Sequence, residues 1–372
     1  RALPAAMIIA ENTDNSRGDK FLVLKTDMLL RYGNSLLQGR KTILIYCYEG
    51  CNGFVFLPFN NMAKNQQSPG KVTGRQDINI AATATGTEKA GRYSMRALYI
   101  LLSVIAFIVY ANTLQNGYVL DDVTVTTGNS IVTQGFKGIP ELLVTPRLKG
   151  FEQTNDRESY RPLPLITSAV EYQLFGPNAA VGHLVNVMLF IGCVLSLFIF
   201  LNKLIRNNTG IAFVAALLFA VHPVHTEVVA NIKSRDELLC FLFSFAAMNV
   251  FADYALNGRQ KHLYMGIVFL FLSFLSKETV IAFLFVAPLI FFFYINENRK
   301  RSFAVTVATV AVAACYIGLR AAVLQGNHGN AVTFIANPLV GAPDAFTRTT
   351  TAIMVLGMYL KLLFIPYPLI CD

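Results

Sequence analysis

The chain has 372 residues, a mass of 41.0 kDa and a net charge of +9, with 54% hydrophobic and only 14% charged residues. Because an ordinary soluble domain has about 25% charged residues, this composition disfavours a soluble globular fold. The basic residues fall in short segments between apolar runs, a pattern typical of membrane topology rather than of nucleic-acid binding, so no nucleic-acid partner is expected.

The first 94 residues differ from the rest of the chain. They hold 19 of the 53 charged residues and lack an apolar run long enough to span a bilayer. We therefore interpret residues 1–94 as a polar N-terminal tail or upstream extension that is poorly ordered, with a short strand pair around Lys41 to Phe59 as the one regular element that the pattern allows. Met95 and Arg96 precede the first apolar run, as in an uncleaved signal anchor.

Apolar runs between residues 97 and 365 predict an all-α polytopic membrane protein of about eight spans with a long first outer loop. Several runs are shorter than the ~20 residues that a straight span needs, so their ends are expected at the membrane interface or in a cavity. The eight runs are Ala97 to Leu114, Val181 to Leu204, Gly210 to Val221, Glu237 to Leu256, Leu263 to Leu275, Thr279 to Ile295, Ser302 to Leu324 and Thr351 to Ile365.

The Lys and Arg residues that flank these runs predict their orientation. With a cytoplasmic start, the inner flanks hold nine basic residues and the short outer segments hold four. Short cytoplasmic loops collect positive charge, so the loop between residues 115 and 180 is expected on the non-cytoplasmic side. Several ionisable residues then share that side, and such residues at membrane depth are functional candidates because they are costly to bury.

Asp121 and Asp122 follow the first run directly. Either carboxylate could act as a general base or hold a cation. The structural alternative is that one of them caps a turn, or that both form an ordinary solvated pair.

The segment between the third and fourth runs contains His222, His225 and Glu227, residue types that can orient a substrate or bind a divalent metal. Pro223 interrupts the helix between the two histidines and weakens the argument for a metal. Farther along, Ser234 and Glu237 have the spacing of a helix N-cap with a capping box, which explains these two residues structurally but leaves Arg235 unexplained.

Lys277 and Glu278 form a short polar tip inside a long apolar stretch. A tight hairpin tip is the structural interpretation, although the position also places Lys277 where it could meet a phosphate group. Arg161 precedes an amphipathic run too short to span, so it either lies near the headgroup plane or is solvated. Arg320, near the outer end of the seventh run, completes the set of candidate cations.

Taken in order, these segments resemble the membrane domain of the transmembrane and tetratricopeptide-repeat O-mannosyltransferases, which are type C (GT-C) glycosyltransferases. The resemblance covers about three quarters of the chain, from residue 96 to residue 372. The chain departs from the family in one respect: it lacks the further charged positions that the family tends to show after the acidic pair. The matching segments are Asn116-Gly117-Tyr118 through Asp121-Asp122, Tyr160-Arg161-Pro162-Leu163, His183-Leu184-Val185-Asn186, His222-Pro223-Val224-His225-Thr226-Glu227 with Ser234-Arg235, Ser276-Lys277-Glu278, and Tyr359-Leu360-Lys361-Leu362-Leu363 before Pro366.

The resemblance implies that residues 95–372 form a GT-C-like glycosyltransferase domain that is C-terminally incomplete before the helical repeats. It implies inverting transfer of mannose from a polyprenyl-phosphate donor to a Ser or Thr hydroxyl of a protein acceptor on the non-cytoplasmic face. In this scheme Asp121 or Asp122 is the base. Donor phosphate is held by Arg161, Arg235, Lys277 and Arg320, while substrate or a metal is oriented by His222, His225, Glu227 and Glu278.

The expected partners are the lipid-linked sugar, a protein acceptor and membrane lipids, with no certain cofactor and a divalent metal left open. The expected location is the endoplasmic reticulum membrane in a eukaryote or the inner or plasma membrane in a prokaryote. Two alternatives remain: a transporter that couples ions or protons through the acidic and His groups, and an inactive membrane anchor for a repeat domain. A transporter would carry its polar groups near the bilayer midplane, whereas the sequence places them at one face.

Overall fold

The computed structural model describes the strands at residues 7–14, 20–32, 35–46 and 55–57, and residues 94–119, 121–151, 159–206, 208–295, 298–324, 338–367 and 369. The chain divides into two compact units, Arg1–Thr87 and Glu88–Asp372.

The first unit contains an antiparallel sheet in the order β1-β2-β3-β4. The strands are β1 (Met7–Asp14), β2 (Lys20–Tyr32), β3 (Ser35–Tyr46) and β4 (Val55–Leu57). The strand pair expected around residues 41 to 59 corresponds to β3 and β4, in which Leu44 lies opposite Leu57. β1 and β2 are additional strands in a region where the sequence analysis expects little order, and they are rich in large apolar residues that favour extended structure.

The described part of the second unit consists of helices and turns. The α-helices are α1 (Met95–Tyr110), α2 (Asp122–Val125), α3 (Ile139–Leu142), α4 (Pro162–Phe175), α5 (Ala179–Leu204), α6 (Thr209–Val221), α7 (Thr226–Ala230), α8 (Arg235–Asn257), α9 (Gln260–Ser276), α10 (Phe283–Phe293), α11 (Arg299–Leu324) and α12 (Ala345–Phe364). Short 3₁₀ helices precede α7, α8, α10 and α12, and others lie at Ala111–Gln115 and Val132–Gly138. The all-α prediction therefore holds for this unit.

The prediction of eight membrane spans is not confirmed. By length and composition, four helical segments among the described residues could cross a membrane: Met95–Gln115, Ala179–Leu204, Ile232–Asn257 and Arg299–Leu324. A fifth candidate is the pair Thr209–Val221 and Pro223–Ala230, which is bent by 49°. The apolar stretch from residue 263 to 295 breaks at Lys277 as expected, but it does not give two full spans, because α9 has 17 residues and α10 has 11.

Helix α8 lies at the centre of the helical unit and packs against both α5 and α9. Buried polar contacts join these helices: Ser244 and Ser273 hydroxyls lie 2.8 Å apart between α8 and α9, and the Asn249 amide donates to the Ser196 carbonyl (2.8 Å) between α8 and α5. Such contacts commonly hold helices together in membranes. An apolar side chain gains little by moving from lipid to protein, because both surroundings are apolar. The large apolar side chains that stay exposed, such as Ile108, are those expected to face lipid.

Polar residues collect at the two ends of this bundle. At one end Lys203 of α5 pairs with Asp253 of α8 (2.8 Å), and Arg301 at the start of α11 donates to the Leu256 carbonyl (2.8 Å). The opposite end contains the first turns of α5 and α8 and the last turn of α9, and it holds most of the candidate site residues. The long segment between α1 and α5 contains α2, α3 and α4, and α4 packs against α5, α8 and α9.

Candidate active site

The two adjacent aspartates have different surroundings. Asp122 is 1% exposed, and its carboxylate accepts hydrogen bonds from the backbone N–H of Val119 (3.0 Å) and of Lys233 (2.8 Å). Asp121 is the N-cap residue of α2, but its side chain makes no capping hydrogen bond. Its side chain is 59% exposed and pairs with the Lys233 ammonium at 2.8 Å. Asp122 therefore joins the loop after α1 to the turn before α8, whereas Asp121 presents an accessible carboxylate.

Arg235 is buried in a polar network between α4, α5 and α8. Its guanidinium donates to the Asn186 side chain (2.9 Å) and the Gly182 carbonyl (3.1 Å), and pairs with Glu171 at 2.8 Å. The Asn186 amide in turn donates to the Asn231 carbonyl (2.9 Å). A guanidinium enclosed in this way holds the helix ends together and is not presented to a ligand in this arrangement.

A second charged cluster lies at the same end of the bundle, around Asp236. This carboxylate is 3% exposed and contacts the Arg161 guanidinium at 2.7 Å, the Lys277 ammonium at 3.6 Å and the Arg147 guanidinium at 3.8 Å. Arg161 also pairs with Glu278 at 2.8 Å, and Lys277 pairs with Glu237 at 2.7 Å. The side chains of Arg161 and Lys277 are each 18% exposed, so both cations are partly accessible.

Arg161 is fixed by its neighbour in the chain. The Tyr160 hydroxyl donates to the Leu143 carbonyl (2.7 Å), and the Tyr160 carbonyl accepts from the Tyr316 hydroxyl of α11 (2.9 Å). Burial lowers the pKa of the Arg161 guanidinium, but the charges of Glu278 and Asp236 raise it by more, so the pKa lies above its ordinary value. Arg161 is therefore a permanent cation in a defined position. Arg320 lies one turn beyond Tyr316, is half-buried and also makes polar or electrostatic contacts.

The His222, His225 and Glu227 group does not form one site. The Nδ1 atom of His222 accepts from the Val224 backbone N–H (3.2 Å), and its Nε2 lies 3.1 Å from the Leu363 carbonyl, so both ring nitrogens are engaged. His225 packs on Phe219 with ring centroids 4.2 Å apart, and Glu227 is exposed on α7. Across the described residues, no group of three or more His, Cys, Asp or Glu side chains is arranged to hold a metal ion.

An apolar cavity of about 240 Å³ lies between α5, α6, α7, α8 and α10. Its aromatic lining consists of Phe190, Phe219, Phe241, Phe283 and the His225 ring. Its other polar lining residues are Glu237, Ser244 and Thr279. Glu237 is the member of the charged cluster that lines this cavity, so its ion pair with Lys277 joins the cationic site to an apolar compartment.

Comparisons with known proteins show what this part of the chain is similar to. A family model described as dolichyl-phosphate-mannose-protein mannosyltransferase matches residues 162–324. The protein O-mannosyl-transferase F38B6.6 of Caenorhabditis elegans is 31% identical over 291 residues, which are 77% of this chain and 40% of the relative. Over its helical part the chain is therefore similar to members of the protein O-mannosyl-transferase family.

Other members of the O-mannosyltransferase family match shorter parts of their own length. Human protein O-mannosyl-transferase TMTC1 is 33% identical over 223 residues, which are 54% of this chain and 24% of the relative. The Drosophila melanogaster relative Tmtc2 is 27% identical over 290 residues, which are 72% of this chain and 29% of the relative. The chain thus spans less than half the length of these relatives, and no solved structure matches it.

Sequence reasoning missed several residues that hold the charged groups at this end of the bundle together. Neither Asp236 nor Glu171 is among the candidates that the sequence analysis selects. An acidic residue inside the otherwise apolar α4 is a signal that could have pointed to Glu171. Ser234 is the N-cap residue of α8, as predicted, but the capping box is wrong, because the Ser234 side chain makes no capping hydrogen bond and Glu237 pairs with Lys277.

Proposed function

We propose that this chain carries the catalytic membrane part of a protein O-mannosyltransferase. It transfers mannose from a polyprenyl-phosphate donor to a Ser or Thr hydroxyl of a protein, with inversion at the anomeric carbon. The names of the relatives and the description of the matching family model support the sugar and the protein acceptor. The lipid-phosphate donor rests on the geometry of the site.

The observation that carries the proposal is the contact between the cationic cluster and the apolar cavity through Glu237 and Lys277. A polyprenyl-phosphate sugar needs an apolar space for its lipid beside a cation for its phosphate. A cavity of about 150 Å³ lined by apolar residues holds benzene, so by proportion the volume here accommodates roughly ten carbons, or about two isoprene units. Aromatic walls suit the flat, unsaturated isoprene groups of such a lipid.

The donor phosphate is assigned to Lys277 and Arg161. Both are partly accessible, and each donates from a charged group, which gives the strongest hydrogen bonds to phosphate oxygens. Arg235 is reassigned from phosphate binding to a positioning role because its guanidinium is enclosed by α4 and α5. Arg320 stays a phosphate-binding candidate, and Glu278 orients Arg161 through their 2.8 Å ion pair.

Asp121 is assigned as the general base and Asp122 as the residue that positions it. In a single displacement, the acceptor hydroxyl oxygen bonds to the anomeric carbon, and the bond from that carbon to the phosphate oxygen breaks. The hydroxyl proton passes to the Asp121 carboxylate, and the phosphate leaves with the electron pair. Cations already in place stabilise the charge that develops on the phosphate. Asp121 is the accessible member of the acidic pair, which is why it receives this role.

The site is proposed to lie on the non-cytoplasmic face, as the distribution of basic residues predicts. The relatives reported above are animal proteins, which favours the endoplasmic reticulum membrane. His225 is proposed to serve as part of the cavity wall. The metal chelator in the assay described next tests whether transfer requires a divalent metal.

A transfer assay tests this function. Membranes that contain the full chain are supplied with radiolabelled dolichyl-phosphate mannose and a library of Ser/Thr peptides, with and without a metal chelator. Wild type should label peptides, and both Asp121→Asn and Lys277→Ala should lower the rate strongly. Lys149→Ala is the matched control, because Lys149 pairs with Glu141 on an exposed surface outside the cluster. Labelling that is insensitive to Asp121→Asn and Lys277→Ala contradicts the proposed site, and a folded wild type without product favours an inactive anchor.

A further inference from the structure

The ion pair between Glu237 and Lys277 differs from the other pairs of the charged cluster. The two side chains meet at 2.7 Å, while the Glu237 side chain remains 39% exposed and lines the apolar cavity. Because Ser234 makes no capping hydrogen bond, Glu237 is not the second half of a capping box. Its carboxylate instead lies where the cation of the proposed phosphate site faces the cavity.

We propose that the Glu237 carboxylate is an internal substitute for the donor phosphate: it occupies Lys277 when no donor is bound and gives up this position when the phosphate arrives. The inference rests on the proposed function, since it assumes that Lys277 binds the donor phosphate. It assigns to Glu237 a role in setting donor affinity.

Charge balance is the first argument for this exchange. Among the described residues, the ion pairs around Asp236 link six side chains, three cations and three carboxylates, whose formal charges sum to zero. The cations are Arg147, Arg161 and Lys277, and the carboxylates are Asp236, Glu237 and Glu278. A phosphodiester carries one negative charge, so adding it to the intact cluster leaves an excess anion in a partly buried site, which is unfavourable. If one carboxylate leaves, the remaining charges sum to +1 and match the phosphodiester.

The second argument identifies which carboxylate can leave. Asp236 is 3% exposed and contacts all three cations, so moving it would break the centre of the cluster. Glu278 makes a 2.8 Å hydrogen bond to Nε of Arg161. Glu237 is the most exposed of the three carboxylates, and the ion pair it would lose is with the cation that the phosphate needs. Exposed ion pairs of this kind contribute little to stability, so the exchange costs the fold little.

A binding titration on the purified full chain tests the exchange. The probe is farnesyl-phosphoryl-mannose, a phosphodiester with a short isoprenoid chain, and farnesol is the uncharged comparison. Glu237→Gln should bind the probe about three- to tenfold more tightly than wild type, because the carboxylate that competes with the phosphate for Lys277 is removed. Farnesol should bind both proteins equally. Glu141→Gln is the matched control, since Glu141 pairs with Lys149 at 3.4 Å outside the cluster, and its affinity should equal that of wild type.

The same titration separates failure of the exchange from failure of the proposed function. Unchanged or weaker probe binding by Glu237→Gln, confirmed with Glu237→Ala, overturns the exchange. In a Lys277→Ala background, adding Glu237→Gln should give no gain; an undiminished gain would show a general charge effect and also overturn it. Unchanged probe binding by Lys277→Ala alone overturns the phosphate site itself. Loss of binding by Lys277→Ala without a gain by Glu237→Gln leaves the phosphate site standing and rejects only the exchange.

Discussion

Asp122→Asn and Asp121→Asn should damage different properties of the protein. An Asn amide at position 122 offers one oxygen where the carboxylate offers two, so one of the N–H donors from Val119 and Lys233 would face an NH₂ group. A hydrogen bond to a charged group is worth about 1.5 to 3 kcal/mol, and we expect Asp122→Asn to lower stability by about that amount. Asp121→Asn breaks an exposed ion pair, which contributes about 0 to 1 kcal/mol.

The effects on turnover should run the other way. Loss of a general base typically costs about 10²- to 10⁴-fold, so Asp121→Asn should lower turnover on that scale with stability nearly unchanged. Thermal unfolding can be followed with a fluorogenic maleimide once accessible thiols such as the exposed Cys315 are blocked, since Cys193 and Cys240 are buried in the helical bundle and react after unfolding. Lys233→Met is the control, because it removes the ammonium while keeping the backbone N–H that Asp122 accepts. Equal stability of the two Asn variants, or normal turnover of Asp121→Asn, would refute this division of roles.

Three further substitutions test how the site is held. Tyr316→Phe removes the hydrogen bond to the Tyr160 carbonyl and should cost about 0.5 to 1.5 kcal/mol while raising the KM for donor, measured by kinetics. Arg235→Met leaves Glu171 without its ion pair and should lower stability by about 3 to 5 kcal/mol. A second change, Glu171→Gln, should restore part of the loss, and thermal unfolding measures both effects. Gly266→Ala places a methyl group 2.3 Å from the Phe251 ring and should cost about 1 to 3 kcal/mol, whereas the control Gly318→Ala meets nothing within 4 Å and should be neutral in the same unfolding assay.

The sequence predicted the class of fold well because a helix that crosses a bilayer must be long and apolar, which strongly constrains its composition. Long apolar runs and their basic flanks are local features, and α1, α5, α8 and α11 follow from them. The number of spans was harder to predict, because a helix can stop early where the backbone turns. The breaks at Lys277 and Pro223 are visible in the sequence, but hydropathy does not report the 49° bend at Pro223 or that α10 has only 11 residues.

The candidate site shows the same limit at the level of single side chains. Sequence reasoning selected the residue types that can bind phosphate or a proton, but it could not tell an enclosed cation from an accessible one. Arg235 and Lys277 were equivalent by spacing and position, yet Arg235 is 1% exposed and Lys277 is not buried. The difference depends on Glu171 and Asn186, which are distant from Arg235 in the sequence and reach it only in the fold.

The first residues of α8 and the turn before it explain how one end of the bundle is organised. Successive helix positions are rotated by about 100°, so neighbours point toward different parts of the protein. The Arg235 side chain points to α4 and α5, the Asp236 side chain contacts Arg161 in the charged cluster, and the Glu237 side chain lines the cavity. Two residues earlier, the Lys233 backbone fixes Asp122 while its side chain holds the other aspartate. A shift of this helix end would therefore move the proposed base and the proposed phosphate site together, which is how a fold assembled from distant segments can keep both at a fixed separation for the transfer.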